Sequence, residues 1–176
     1  GTPMRDRVLA AVADAAPRIV VGSTGSLPAG VRETREEPPG GGPVAATAAG
    51  LALVAERADP GTTIVALLAA DLPLLTAAAV RDLRTALARS DTADGVVYLD
   101  SDERQQWLCG VWRLGSLRAA LGRLAARHDG VLAGTSMRAL MAELTVIGVA
   151  WGGAGPPPWF DCDTDDDLRR AEEWIR

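Results

Sequence analysis

Apolar and polar positions along the chain alternate between two periods. Residues 3–16 place Met4, Val8, Ala11 and Ala15 on one helical face, and Pro17 closes the pattern. Arg18 to Gly22 is a short apolar strand that ends in glycine. Residues 23–42 lack either period and are rich in Gly and Pro, so they read as loop. Pro43 suits the first position of a helix with Val44, Ala48, Leu51 and Ala55 inward. A turn is expected at Asp59-Pro-Gly-Thr62. Residues 64–70, Ile-Val-Ala-Leu-Leu-Ala-Ala, form a continuous apolar run too short to span a membrane and of the length of a strand buried on both faces. Thr76 can cap a helix carrying Val80, Leu83 and Leu87. Residues 95–99 predict a strand, 100–104 a polar turn, and 106–113 a strand returning from it. Leu114, Leu117, Leu121 and Leu124 mark a helix, followed by a break at Gly130 to Gly134. A short helix over Met137–Leu144 and a strand at 146–150 come next. After the Gly/Pro connector at 152–158, an extended stretch at 159–163 precedes a last helix, capped by Thr164, with Leu168, Ala171 and Ile175 inward. Strands alternating with helices predict an α/β fold: a mostly parallel sheet between helices on both faces.

Composition narrows this picture. The 176 residues suit a single domain, 1–176, and the 18 residues after the connector are too few to fold alone. Hydrophobic residues make up 48% but aromatics only 4%, so the core is built from Ala, Val and Leu. All basic residues are Arg. A net charge of −5 argues against nucleic acid as partner. No signal peptide or membrane span is visible, so a cytoplasmic location is expected. Cys109 and Cys162 are expected to be free thiols.

The candidate chemistry is acidic. The 64–70 run ends in Asp71, and Pro73 follows. Ligands of open α/β sheets gather outside the carboxyl ends of strands, which makes Asp71 a candidate metal ligand. A second acidic group, Asp161-Cys-Asp163-Thr-Asp165-Asp-Asp167, contains the elements of a capping box in Thr164 and Asp167. Capping does not account for Asp161 and Asp163, which an extended chain presents on one side. An EF-hand is disfavoured by Asp166 where glycine is required and by the preceding prolines. Gly40, Gly41 and Gly42 open onto a helix N-terminus, where an anion or a planar base can approach bare backbone; a plain flexible loop is the competing reading. No Gly-Lys-Ser/Thr phosphate loop exists. The one histidine, His128, belongs to a helix end, and no nucleophile–histidine set can be assembled. Trp107 and Trp112 suit a core or its rim better than a stacking platform. Arg113, at a strand end, is a candidate phosphate holder.

Four stretches in order resemble the MobA-like nucleotidyltransferases, the molybdenum cofactor guanylyltransferases. They are Arg35-Glu-Glu-Pro-Pro-Gly-Gly-Gly-Pro-Val-Ala-Ala46, Leu68-Ala-Ala-Asp-Leu-Pro-Leu-Leu-Thr76, Gln106-Trp-Leu-Cys-Gly-Val-Trp-Arg113 and Phe160-Asp-Cys-Asp-Thr-Asp-Asp-Asp-Leu168. The resemblance implies a three-layer α/β/α, Rossmann-like fold of the nucleotide-diphospho-sugar-transferase type. It implies Mg²⁺ held by Asp71, with Asp163 as the second catalytic, metal-side residue and Asp161 beside it. Guanine would lie against Gly40, Gly41, Gly42 and Pro43, with Glu36 close by. Gln106, Trp107, Trp112 and Arg113 would face the acceptor. The implied reaction transfers GMP from GTP to the terminal phosphate of molybdopterin, or of Mo-molybdopterin, and releases pyrophosphate. Transient contact with molybdoenzyme-assembly proteins is a further implied partnership. A related guanylyl- or cytidylyltransferase with another acceptor, and a non-catalytic nucleotide-binding homologue, are the alternatives.

Two departures stand out. The family's N-terminal Leu-Ala-Gly-Gly loop, with its Arg and Lys, is absent. Residues 1–7 correspond to the segment just past the end of that loop: either roughly two dozen upstream residues are missing or the protein does not hold a nucleotide triphosphate in the usual way, and the former is expected, because a parallel sheet without its central strand exposes apolar surface. A His-Pro pair common in the acceptor strand is Gln106-Trp107 here.

Overall fold

The computed structural model describes residues 2–23, 25–54 and 63–175. The chain runs α1 (Met4–Ala11), β1 (Arg18–Val21), β2 (Val31–Thr34), α2 (Pro43–Ala52), β3 (Ile64–Leu68), α3 (Ala77–Ala88), β4 (Gly95–Leu99), β5 (Gln105–Arg113), α4 (Leu114–Arg127), α5 (Met137–Met141), β6 (Val146–Ala150) and α6 (Asp165–Ile175). The turn expected at 59–62, the position of Ala55 and the side chain of Ile175 lie outside the described residues.

The strands form two sheets. β1 and β2 pair in parallel, and a second sheet has the order β3-β5-β4-β6. Within it β4 and β6 are parallel and β5 is antiparallel to both β3 and β4. Only β5 is reversed, because the short polar turn at 100–104 returns the chain directly beside β4. Asp100 closes that turn: its Oδ1 accepts from the backbone N–H of Asp102 and of Arg104, each at 2.9 Å.

Helices cover both faces. On one, Val8, Ala11 and Val12 of the α1 segment join Val80, Leu83 and Leu87 of α3 against Val96, Tyr98, Cys109 and Val111. On the other, Val44 of α2, Leu117, Leu121 and Leu124 of α4, and Leu140 of α5 enclose Trp112 and Val97. The result is the expected three-layer α/β/α arrangement. Gly95 faces Trp112 in register, and a Cβ at Gly95 would sit 2.0 Å from the indole, so a bare strand position makes room for the largest buried side chain.

The helix ends follow local chemistry. The Thr76 hydroxyl accepts from Ala79 N at 3.2 Å, as expected of a cap. Thr164 and Asp167 form the reciprocal capping box that opens α6. Leu168, expected inward, is exposed, whereas Ala171 is buried.

Two expectations need correction. β3 is not buried on both faces: its pattern alternates and Ile64 is 37% exposed. Among the described residues β3 is an edge strand of the larger sheet. A concave cleft of about 620 Å³ separates β3 from β1, and both strands line it along their length, each paired on one side only among the described residues. The loop-like stretch 23–42 also contains β2. Its exposed Arg32 and Glu33 gave it no apolar period.

Candidate active site

Asp71 lies just beyond the carboxyl end of β3, where Leu72, Pro73, Leu74 and Leu75 are buried and fix the turn. Its Oδ1 is buried and has no hydrogen-bond partner among the described residues. Such an oxygen carries a desolvation cost unless a ligand meets it. Asp100 occupies the corresponding place after β4, yet both its oxygens are engaged, Oδ2 accepting from Gln106 Nε2 at 3.0 Å. The position rule that singles out Asp71 in the sequence applies equally to Asp100. Only hydrogen bonding separates a turn-closing carboxylate from one left without a partner among the described residues.

The 161–163 segment comes to the same end of the sheet. Burial raises the Cys162 thiol pKa, and the carboxylates of Asp167, Asp161, Asp71 and Asp163 raise it further. One thiol thus feels Asp71 and both candidate aspartates of the closing segment. Asp161 and Asp163 are exposed. Cys109 and Cys162 are both free, as expected. Among the described residues no three His, Cys, Asp or Glu side chains are arranged to hold a metal on their own. Mg²⁺ does not need three: it takes one or two carboxylates and completes its shell with waters and phosphate oxygens. The unpartnered oxygen of Asp71 fits the demand for one such carboxylate.

The glycine loop has a defined shape. Gly40 and Gly42 adopt positive φ, 77° and 89°, which glycine tolerates without strain. Glu36 Oε1 accepts from Gly40 N at 3.0 Å, so Glu36 closes the loop. Pro43 is the first residue of α2, as expected of a proline after such a loop. Pro43 and Ala70, the neighbour of Asp71, both line the cleft between β1 and β3.

The 106–113 segment divides. Ala69 N donates to Leu108 O at 2.8 Å, so Gln106 and Trp107 lie toward the Asp71 end of the sheet. Gln106 is held by Asp100, and Trp107 Nε1 donates to Gln105 Oε1 at 2.9 Å. Trp112 and Arg113 do not share that end. Arg113 pairs with Ile64, at the start of β3. At about 3.4 Å per residue, seven residues of extended strand separate it from Gln106 by roughly 24 Å. Trp112 is fully buried. The Arg113 guanidinium donates to the carbonyls of Ala93 (2.9 Å), Ser90 (2.7 Å) and Leu87 (3.4 Å), closing the C-terminal end of α3. The expectation that these two residues face the acceptor is corrected: a strand running the length of the sheet puts its two ends at opposite poles. His128 is the C-cap residue of α4, as expected of a helix-end histidine.

The fold is an open α/β sheet with a carboxylate just beyond one strand and a glycine loop at a helix N-terminus. The chain belongs to the MobA-like NTP transferase domain family, whose sequence pattern matches residues 1–147. No curated protein matches it by sequence. Among solved structures it is similar to 2-C-methyl-D-erythritol 4-phosphate cytidylyltransferase from Thermus thermophilus, with 18% identity and a TM-score of 0.69 over 98% of this chain and 88% of that one. The Francisella tularensis enzyme of the same name gives 16% identity and a TM-score of 0.70 over 97% and 87%. Molybdopterin-guanine dinucleotide biosynthesis protein A from Archaeoglobus fulgidus gives 16% and 0.59 over 97% and 84%. At these identities the likeness establishes the fold. Among the described residues no helix is long and apolar enough to cross a membrane.

Proposed function

We propose that this protein is a Mg²⁺-dependent guanylyltransferase that moves GMP from GTP to the terminal phosphate of molybdopterin, with or without bound molybdenum, and releases pyrophosphate. The observation that carries the reading is the buried oxygen of Asp71, which has no hydrogen-bond partner among the described residues. Asp71 and Asp163 would hold the metal, with Asp161 adjacent. When bound, Mg²⁺ supplies charge neutralisation at the phosphates.

The chain's own groups have three tasks. The glycine loop offers bare backbone against which a purine ring can lie, with Glu36 at its edge, one oxygen of which is already committed to Gly40. Gln106 lies at the Asp71 end of the sheet with its Nε2 donating to Asp100 Oδ2 at 3.0 Å and to Arg104 O at 3.3 Å, which leaves its Oε1 for donor groups of the acceptor. The third task, orienting the nucleophile, needs no proton acceptor. A phosphate monoester has its second pKa near ~6 and attacks the α-phosphorus already ionised at neutral pH. Positioning and electrostatics then carry the rate, in keeping with a site where no histidine has been identified.

Pyrophosphate release from GTP, CTP and ATP, each with Mg²⁺ and molybdopterin, tests this. GTP is expected to be turned over at least tenfold better than the others. Preference for CTP would overturn the guanine assignment. Turnover of GTP only with another phosphate acceptor would overturn the molybdopterin assignment, and binding without turnover would make the protein a nucleotide-binding homologue.

A further inference from the structure

The local bonds of the glycine loop give it shape but not place. Glu36 to Gly40, Gly41 N to Pro38 O at 3.1 Å and Ala46 N to Gly42 O at 3.0 Å all close within a few residues. Among the described residues its long-range hydrogen bond comes from elsewhere: Gly134 N donates to Gly41 O at 2.9 Å. The neighbouring Ala133 packs on the same spot. A Cβ at Gly41 would meet Ala133 Cβ at 3.4 Å, Pro38 O at 3.1 Å and Ala45 Cβ at 3.0 Å, so Gly41 is held between its own helix and this turn. Gly41 is buried although Gly40 is exposed.

The turn itself is well anchored. Gly130 N donates to Ala125 O at 2.8 Å at the end of α4, Thr135 N to Leu132 O at 3.1 Å, and Ser136 Oγ caps α5 by accepting from Ala139 N at 3.2 Å. Leu132 packs against the core beneath α4 and α5. Gly134 adopts a positive φ of 78°, which glycine tolerates without strain.

We propose that the Ala133–Gly134 turn is a positioning element that sets where the glycine loop stands and thereby tunes selection of the nucleotide base. This rests on the reading that the loop receives the base. Ala133→Val crowds Gly41; Gly134→Ala strains the turn's backbone by a different route; Val131→Ala, at an exposed side chain in the same turn, is the control.

Two measurements separate the inference from the reading beneath it. Amide hydrogen exchange of residues 38–46 in the nucleotide-free protein is expected to accelerate in Ala133→Val and Gly134→Ala but not in Val131→Ala, with Tm held within a few degrees. Unchanged exchange in both variants overturns the positioning role. In turnover, KM for GTP is expected to rise roughly three- to tenfold, the range one hydrogen bond converts to, with kcat within about twofold and the GTP-over-CTP ratio falling. A fall in kcat with KM and the ratio unchanged also overturns it. Accelerated exchange with neither KM nor the ratio altered overturns base binding by the loop, while the turn's hold on the loop stands.

Discussion

At the scale of single residues, hydrogen-bond satisfaction decides what each polar side chain can do. Asp71→Asn keeps the shape of the side chain and removes its charge. Under the proposed mechanism guanylyl transfer is expected to fall at least about a hundredfold, the loss expected of a carboxylate proposed to hold the metal, with Tm unchanged or raised; retention of full Mg²⁺-dependent turnover would sink the mechanism. Arg113 is the contrasting case, since its guanidinium is already bound to three carbonyls. Arg113→Met should destabilise the fold by roughly 1.5–3 kcal/mol in denaturant melts, the range for hydrogen bonds to charged groups, while KM for the phosphate acceptor stays put. A risen acceptor KM with unchanged stability would restore Arg113 to the site. In the sequence, Trp112-Arg113 and Gln106-Trp107 look alike as aromatic-polar pairs. Nothing in the residues themselves states which pole of the sheet each will occupy.

At the scale of elements, α4 and the end of α5 are tied by charge. Glu143 accepts from Arg123 Nε at 2.7 Å and from Arg127 Nη2, and Arg123 Nη2 donates to the Glu143 carbonyl at 2.8 Å. The bond from Arg123, then that from Arg127, holds the Glu143 carboxyl below its ordinary value of 4.5. Lowering in the folded state means that the contribution to stability is fully present above pH 4.5 and is lost as pH falls through the lower folded value. The Tm difference between the native protein and Glu143→Gln should therefore be larger at pH 7 than at pH 3; a difference independent of pH would show that the carboxylate charge contributes nothing. The long elements were legible because their apolar periods are strong: α3 and α4 carry their inward leucines where the 3.6-residue repeat puts them. β2 was not, because an exposed strand with Arg32 and Glu33 at its centre lacks an apolar stripe.

At the scale of the whole molecule, the buried centre can be followed through one thiol. Cys109 is 1% exposed, and burial pushes its thiol up to about 12. At pH 8 it should resist alkylation in the native state and react only on global unfolding, so its labelling midpoint in urea should coincide with that of far-UV circular dichroism. Labelling at lower urea would reveal opening of the sheet before the rest. The sequence by itself determined the alternation of strands and helices, the caps at Thr76 and Thr164, and Asp71 as an acid beyond a strand, because each depends on neighbours a few residues away. Only the tertiary structure decided that Asp71 keeps an oxygen without a partner among the described residues while Asp100 does not, that Arg113 closes α3 at the far pole, and that a turn between α4 and α5 meets the glycine loop. These depend on which distant segments come into contact, and contact is set by the packing of whole layers, which no local pattern records.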